Sequence, residues 1–156
     1  MMRPVTLSAD EAGLFQPLRI GSLSPQNRFV MAPMTRCFSP GGVPGPDVAA
    51  YYRCRAENEV GLIITEGNWI AHGGAANDSN VPRLHGDDAL TGWSRVVAEV
   101  HAAGGKFIRR LWHVGLFEKP VIENVYAATA PVEDRRVGPS GMAGGLGMPP
   151  YRHANR

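Results

Sequence analysis

"GLIITEG", residues 61–67, is the stretch that decides the fold. Leu62, Ile63 and Ile64 follow one another without polar alternation, and Glu66-Gly67 closes the run. A strand that is apolar on both sides must be covered on both sides, as strands of parallel sheets are. The flanking sequence fits that requirement. Residues 47–59 read as a helix, with Pro46 in its first turn, where a missing N–H costs nothing, and Gly61 as its stop. Downstream, a long excursion over 68–86 leads to a second helix over 87–103. There Leu90, Trp93, Val97 and Val100 recur at helical spacing, and Asp87 is placed to cap the N-terminus.

Two more extended segments flank this unit. Phe29, Val30 and Met31 form the centre of a strand over 28–32 that stops at Ala32-Pro33. "KFIRRLWHVG", residues 106–115, is bracketed by Gly104-Gly105 and Gly115 and reads as a third strand. The order strand, helix, strand, helix, strand predicts a parallel sheet with right-handed crossovers. A doubly wound sheet and a (β/α)8 barrel both begin this way. No G-x-G-x-x-G follows any of the strands, so a dinucleotide-binding Rossmann site lacks its fingerprint. Before the first strand, residues 14–33 read as an N-terminal hairpin about a Gly-Ser-x-Ser-Pro turn.

Bulk properties narrow the function classes. The 156 residues carry a formal net charge of +2 with no basic block, which argues against nucleic acid as a partner. No apolar run approaches the ~20 residues that cross a bilayer, so no membrane partner is expected. The N-terminus has no apolar core behind Arg3, so a secretory leader is not expected and the cytoplasm is. Cys37 and Cys54 lack C-x-x-C spacing and read as free thiols. Five scattered histidines show no ligand spacing, so no metal is expected. Residues 131–156 are dense in glycine and proline and read as an extended loop or disordered tail behind a domain of residues 1–130.

In a barrel, chemistry gathers at the C-terminal ends of the strands. Those ends read "MAPMTR" (31–36), "ITEGN" (64–68) and "RLWHVG" (110–115). The third strand carries two arginines in its middle. Strand alternation places Ile108, Arg110 and Trp112 on one face and Phe107, Arg109 and Leu111 on the other. Arg109 then points between sheet and helices, where an unpaired charge is costly, unless its long stem carries it out to solvent. Trp93, on the apolar face of its helix, reads as a core aromatic. Glu66 reads more readily as the partner of a basic side chain or loop than as a general base.

Five segments in register resemble the old yellow enzyme family: "LFQPLRIGSLSPQNRFVMAPMTR", "GPDVAAYYRCRA", "GLIITEGNWIAHGG", "GWSRVVAEVHAAGGKFI" and "LWHVG". The resemblance spans roughly residues 14–131. It implies FMN-dependent NAD(P)H oxidoreductases on a (β/α)8 barrel, which pass hydride from a nicotinamide through the flavin to an activated alkene such as an enone. It implies that Pro33, Met34 and Thr35 lie against the flavin ring, with the Thr35 hydroxyl at a carbonyl edge. It implies that Gly67 lets the backbone approach the ring and that Trp112 lines the substrate side. Family members usually hold a glutamine at the place of Arg110, bonded to the pyrimidine edge. An amide donates and accepts, whereas a guanidinium only donates.

The resemblance covers only the front of a barrel, which takes about 250 residues in full. The family's substrate-binding His/Asn pair, its tyrosine proton donor and its phosphate loops come from later strands. His153 and Asn155 are two apart, with no apolar strand before them, and do not match that pair. No catalytic residue is therefore identified. The chain is expected to be a truncated barrel of three strands and two helices, inactive in isolation and prone to self-association through an open sheet edge. The alternative is a non-catalytic remnant, or a half-barrel that needs another chain.

Overall fold

The computed structural model describes residues 8–72 and 75–114. The expected tail over 131–156, the remainder of the 1–130 domain past Val114, Met1 to Leu7 and the His153/Asn155 pair lie outside the described residues. Helix α1 spans Ala9–Leu14, strand β1 Val30–Met31, helix α2 Pro46–Glu57, strand β2 Leu62–Trp69, helix α3 Asp87–Ala102 and strand β3 Lys106–Trp112. The three strands form one sheet in the order β1-β2-β3. Both pairings are parallel, with Val30 opposite Leu62 and Ile63 opposite Phe107. This is the β-α-β-α-β unit expected from the sequence.

The core lies between the sheet and α2 and α3. Val48, Ala49, Tyr52 and Ala56 of α2 meet Trp93, Val96 and Val100 of α3 over Ile63, with Phe107 packed against them. Trp93 is fully buried and its indole N–H donates to the Arg83 carbonyl at 3.0 Å. The apolar stripe of α3 differs from the expected one. Ala89, Gly92, Trp93, Val96 and Val100 face inward, while Leu90 is exposed. Gly86, not Asp87, is the N-cap, and it makes no side-chain cap bond. Asp87 and Asp88 instead sit in the first turn, where the helix dipole favours negative charge.

Several boundaries moved for identifiable reasons. β1 is shorter than 28–32 because the Phe29 amide is taken by Asn27 Oδ1 at 3.0 Å. The same Oδ1 accepts from Gly61 N–H at 3.1 Å, and a Cβ on Gly61 would lie 2.5 Å from it. So Gly61 permits this close approach rather than stopping α2. The chain leaves α2 through Asn58 and Glu59, and Glu59 takes the left-handed φ of 68°. The expected hairpin is reduced to one antiparallel bridge, Ile20 to Leu23. The helix α1 ahead of it has a full capping box, with Ser8 Oγ accepting from Glu11 N–H and Glu11 accepting from Ser8 N–H.

β2 runs past Glu66-Gly67 to Trp69 because its pairing with β3 survives a bulge. Ile64 opposes Ile108, but Gly67 opposes Arg110, so β2 carries one extra residue between them. The bulge reverses the alternation. Ile63 faces the helices, and without the bulge Gly67 would share that face. With it, Glu66 turns to Tyr52 on the helix side and Gly67 turns to the face of Arg110 and Trp112.

Candidate flavin-ring site

The last residues of the strands converge at one end of the sheet. Arg110 N–H is held by Thr65 Oγ1 at 3.2 Å, within the bulge. Its Nη2 reaches Thr35 Oγ1, just past β1, at 3.5 Å, the outer limit of hydrogen bonding. Its guanidinium carbon lies 4.9 Å from the centre of the Trp112 ring, so the two side chains share a face as alternation requires. Trp112 in turn lies against Gly67. A Cβ built on Gly67 would stand 2.1 Å from Trp112 Cε3, so the glycine is what lets the indole lie flat on β2. Trp112 also packs on Trp69, Ala75, Ala76 and Val81, residues from the end of β2 and the loop after it. Pro33 is half-buried and Met34 exposed on the segment leading to Thr35. The structure thus brings Thr35, Gly67, Arg110 and Trp112 together, with Pro33 and Met34 beside them in the chain.

Directly beneath, on the helix side, stands a closed polar network. Glu66 is 1% exposed. Its Oε1 accepts from Arg36 Nη2 at 3.0 Å and from the Tyr52 hydroxyl at 3.2 Å, and its Oε2 accepts from Arg36 N–H at 3.1 Å. The Tyr52 oxygen accepts from Glu66 N–H at 3.1 Å. Burial, above all, pushes the Tyr52 hydroxyl well above its ordinary value, so it stays protonated. Glu66 is therefore the anchor that ties the segment after β1 to β2 and α2, as the bland reading of a strand-end carboxylate anticipates. Arg36 has no role in the sequence reading. The signal available was a glutamate closing an apolar strand, since a buried carboxylate requires a cation.

Arg109 also finds its place. It points to the helix side, and its guanidinium carbon lies 5.6 Å from the centre of the Trp93 ring. The aromatic face supplies a cation–π partner where no carboxylate is needed. Sequence spacing also missed a histidine pair. His113 Nε2 and His72 Nδ1 are 3.0 Å apart across 41 positions of sequence. Burial, and then His72, hold His113 below the ordinary histidine value. Among the described residues no group of three or more metal-ligating side chains occurs. Cys37 and Cys54 are both free thiols.

The donors at the strand ends suit a carbonyl-bearing aromatic ring. Arg110 Nε and Trp112 Nε1 are both buried and have no hydrogen-bond partner. The Thr35 hydroxyl stands beside the guanidinium. A flavin ring edge offers the acceptor oxygens that these donors lack, and FMN fits the residues present on that ground. Thr35 and Arg110 would hold its edge, with Trp112 beside them.

Fold and site define the class: the opening of a parallel α/β barrel, with polar groups gathered at the C-terminal strand ends. The chain belongs to the NADH:flavin oxidoreductase / NADH oxidase family, which it matches over residues 13–141. It is 38% identical over 127 residues to 12-oxophytodienoate reductase 7 of Oryza sativa subsp. japonica, covering 81% of this chain and 32% of the relative. It is 39% identical to morphinone reductase solved with tetrahydroNAD, with a TM-score of 0.67, covering 83% of this chain and 33% of that one. Against old yellow enzyme from Pichia sp. AKU4542 the identity is 33% and the TM-score 0.61, over 66% of this chain and 27% of that one. The chain therefore spans about a third of the length of the relatives it matches. Its three parallel strands and their helices correspond to part of the barrel in these structures. Among the described residues no helix is long and apolar enough to cross a membrane.

Proposed function

We propose that this chain supplies the flavin-ring side of an FMN-dependent NAD(P)H oxidoreductase that reduces activated alkenes, enones among them. The observation that carries this reading is the meeting of Thr35, Gly67, Arg110 and Trp112 at one end of the sheet, two of them with buried unmatched donors. Pro33, Met34, Thr35 and Arg110 form the cofactor side and Trp112 the substrate side, while Gly67, expected against the ring, is covered by the indole. The bound flavin supplies two-electron transfer between nicotinamide and alkene; the protein supplies position and electrostatics. Thr35 and Arg110 donate to the ring edge. The indole, seated on Gly67, packs on the loop after β2.

In barrels of this kind the phosphate is gripped late in the fold, by loops and a helix N-terminus. These 156 residues as an isolated polypeptide therefore hold FMN weakly and do not turn over. The domain reading keeps 1–130 as the partial barrel and 131–156 as its tail, working in the cytoplasm on a small electrophilic alkene. A half-barrel that needs a second chain, without catalysis of its own, is the competing reading. The exposure of Ile108 (41%) and Leu111 (66%) on β3, an edge strand among the described residues, favours it, because an open apolar edge invites self-association.

The test is a fluorescence titration of the purified polypeptide with FMN, followed by NADPH and a simple enone. Saturable binding that is weak, and that Trp112→Ala weakens further, supports the ring site. Tight stoichiometric binding with steady turnover overturns the expectation for the isolated polypeptide. Absence of binding leaves the half-barrel reading.

A further inference from the structure

We infer that Arg110 makes this site selective for a negatively charged ring, so that a flavin binds there more tightly reduced than oxidised. The inference rests on the flavin-site reading above and specifies the charge state that the site prefers.

The donor and acceptor inventory carries the argument. A guanidinium has five N–H donors, accepts nothing and does not lose its charge in proteins. Arg110 has one long contact, to Thr35 Oγ1 at 3.5 Å, and its Nε is buried without a partner. Trp112 Nε1, also buried, is a second donor with no acceptor. Stacking at 4.9 Å on Trp112, and the bond from its own amide to Thr65 Oγ1, hold the arginine in place at the bulge.

Neutralising charge stands elsewhere. The ion pairs of the described residues join Arg36 to Glu66, Arg53 to Glu57 and Glu99, and Arg83 to Asp88; none includes Arg110. Glu66, next to Gly67, is turned to the opposite face and consumed by Arg36 and Tyr52. So a permanent positive charge, its own Nε unmatched, faces the site beside the unmatched Trp112 Nε1.

An occupant that brings acceptor oxygens relieves the unmatched donors. One that also brings negative charge gains a charge-assisted bond, stronger than the neutral one. Reduced flavin is such an occupant. Its negative charge resides on the pyrimidine ring and spreads to the carbonyl oxygens, while oxidised flavin presents the same oxygens without the charge. The phosphate tail is common to both forms, so any difference in their affinity reports the ring.

The experiment uses the full chain under anaerobic conditions at mildly alkaline pH. Oxidised FMN and dithionite-reduced FMN are titrated separately against the wild type, Arg110→Gln and Arg110→Lys. The wild type is expected to bind reduced FMN about tenfold more tightly, equivalent to raising the two-electron potential by about 30 mV. Arg110→Gln is expected to bring the two affinities within about twofold of each other, whereas Arg110→Lys retains most of the preference because it keeps the charge. Equal affinities in the wild type, or a preference that survives Arg110→Gln, overturn this inference and leave the flavin site standing. Failure of both forms to bind overturns the flavin-site reading, and this inference with it.

Discussion

The two faces of the sheet were built to different standards. Toward α2 and α3, the core side chains of both helices pack over Ile63 and Phe107, Glu66 is matched by Arg36 and Tyr52, and Arg109 lies over the face of Trp93. Toward the other face, Ile108 is exposed, Arg110 Nε and Trp112 Nε1 have no acceptors, and Arg110 has a single long contact. The same strand, β3, contributes to both. Phe107 and Arg109 pack toward the helices and Ile108 and Arg110 face the other way, while Leu111 near the strand's end is exposed. Among the described residues the helix layer closes, whereas the opposite face leaves the Arg110 and Trp112 donors unmatched.

Substitutions on the two faces therefore have different signatures. The largest effects belong to the helix side. Glu66→Ala strands the Arg36 guanidinium and the Tyr52 hydroxyl, and breaking a buried pair from one side is expected to cost about 3–5 kcal/mol in urea denaturation. Trp93→Ala is expected to cost a similar ~3–5 kcal/mol through the cavity it leaves and the cation–π contact Arg109 loses. Losses under 1 kcal/mol at both positions would break the comparison.

Next comes Gly67→Ala, where the added methyl collides with the Trp112 indole. The expected cost is about 1–3 kcal/mol, with a shift in tryptophan fluorescence. A double-mutant cycle with Trp112→Ala sharpens it: the penalty of the methyl should largely vanish once the indole is gone.

Arg110→Gln should change stability by no more than about 0.5 kcal/mol, because no partner is stranded when it leaves. A stability loss as large as that of Glu66→Ala would mean that Arg110 belongs to the core, not to a site.

The smallest effect is a pH dependence. Burial first, and then His72, lower the His113 pKa in the fold. Burial first, and then Arg83, lower that of His85, against an opposing pull from Asp88. The unfolded chain therefore binds more protons than the fold below the ordinary histidine value of about 6.5. Stability contributed by these groups is present above that value and is lost as the pH falls through the window beneath it. The melting temperature should drop on acidification through that window, and His113→Gln should flatten the slope.

Much of this was legible in the order of residues. The unbroken apolar run of Leu62 to Ile64 announced a strand covered on both faces, and Pro46 and the α3 repeat announced the helices between strands. The alternation of β3 separated Arg109 from Arg110 correctly. Other features carry local signals of their own. Ser8 and Glu11 form a capping box three residues apart, and Glu66 required a cation. The pairing of His72 with His113 had no local signal, because the ends of β2 and β3 meet only after the crossover through α3.

What the sequence determined by itself was periodicity: which segments are strands, which are helices, and which side chains of one strand share a face. These are local properties, set by alternation and by the capping and breaking residues nearby. The tertiary structure alone decided where Gly67 points. A single extra residue between Ile64 and Gly67, visible only when β2 is laid beside β3, turned Glu66 into the core and Gly67 toward Trp112. Register is a property of two strands and the contacts each must satisfy, so no reading of one strand contains it. The buried Glu66 clamp and the unmatched donors of Arg110 and Trp112 lie on opposite sides of that one displacement.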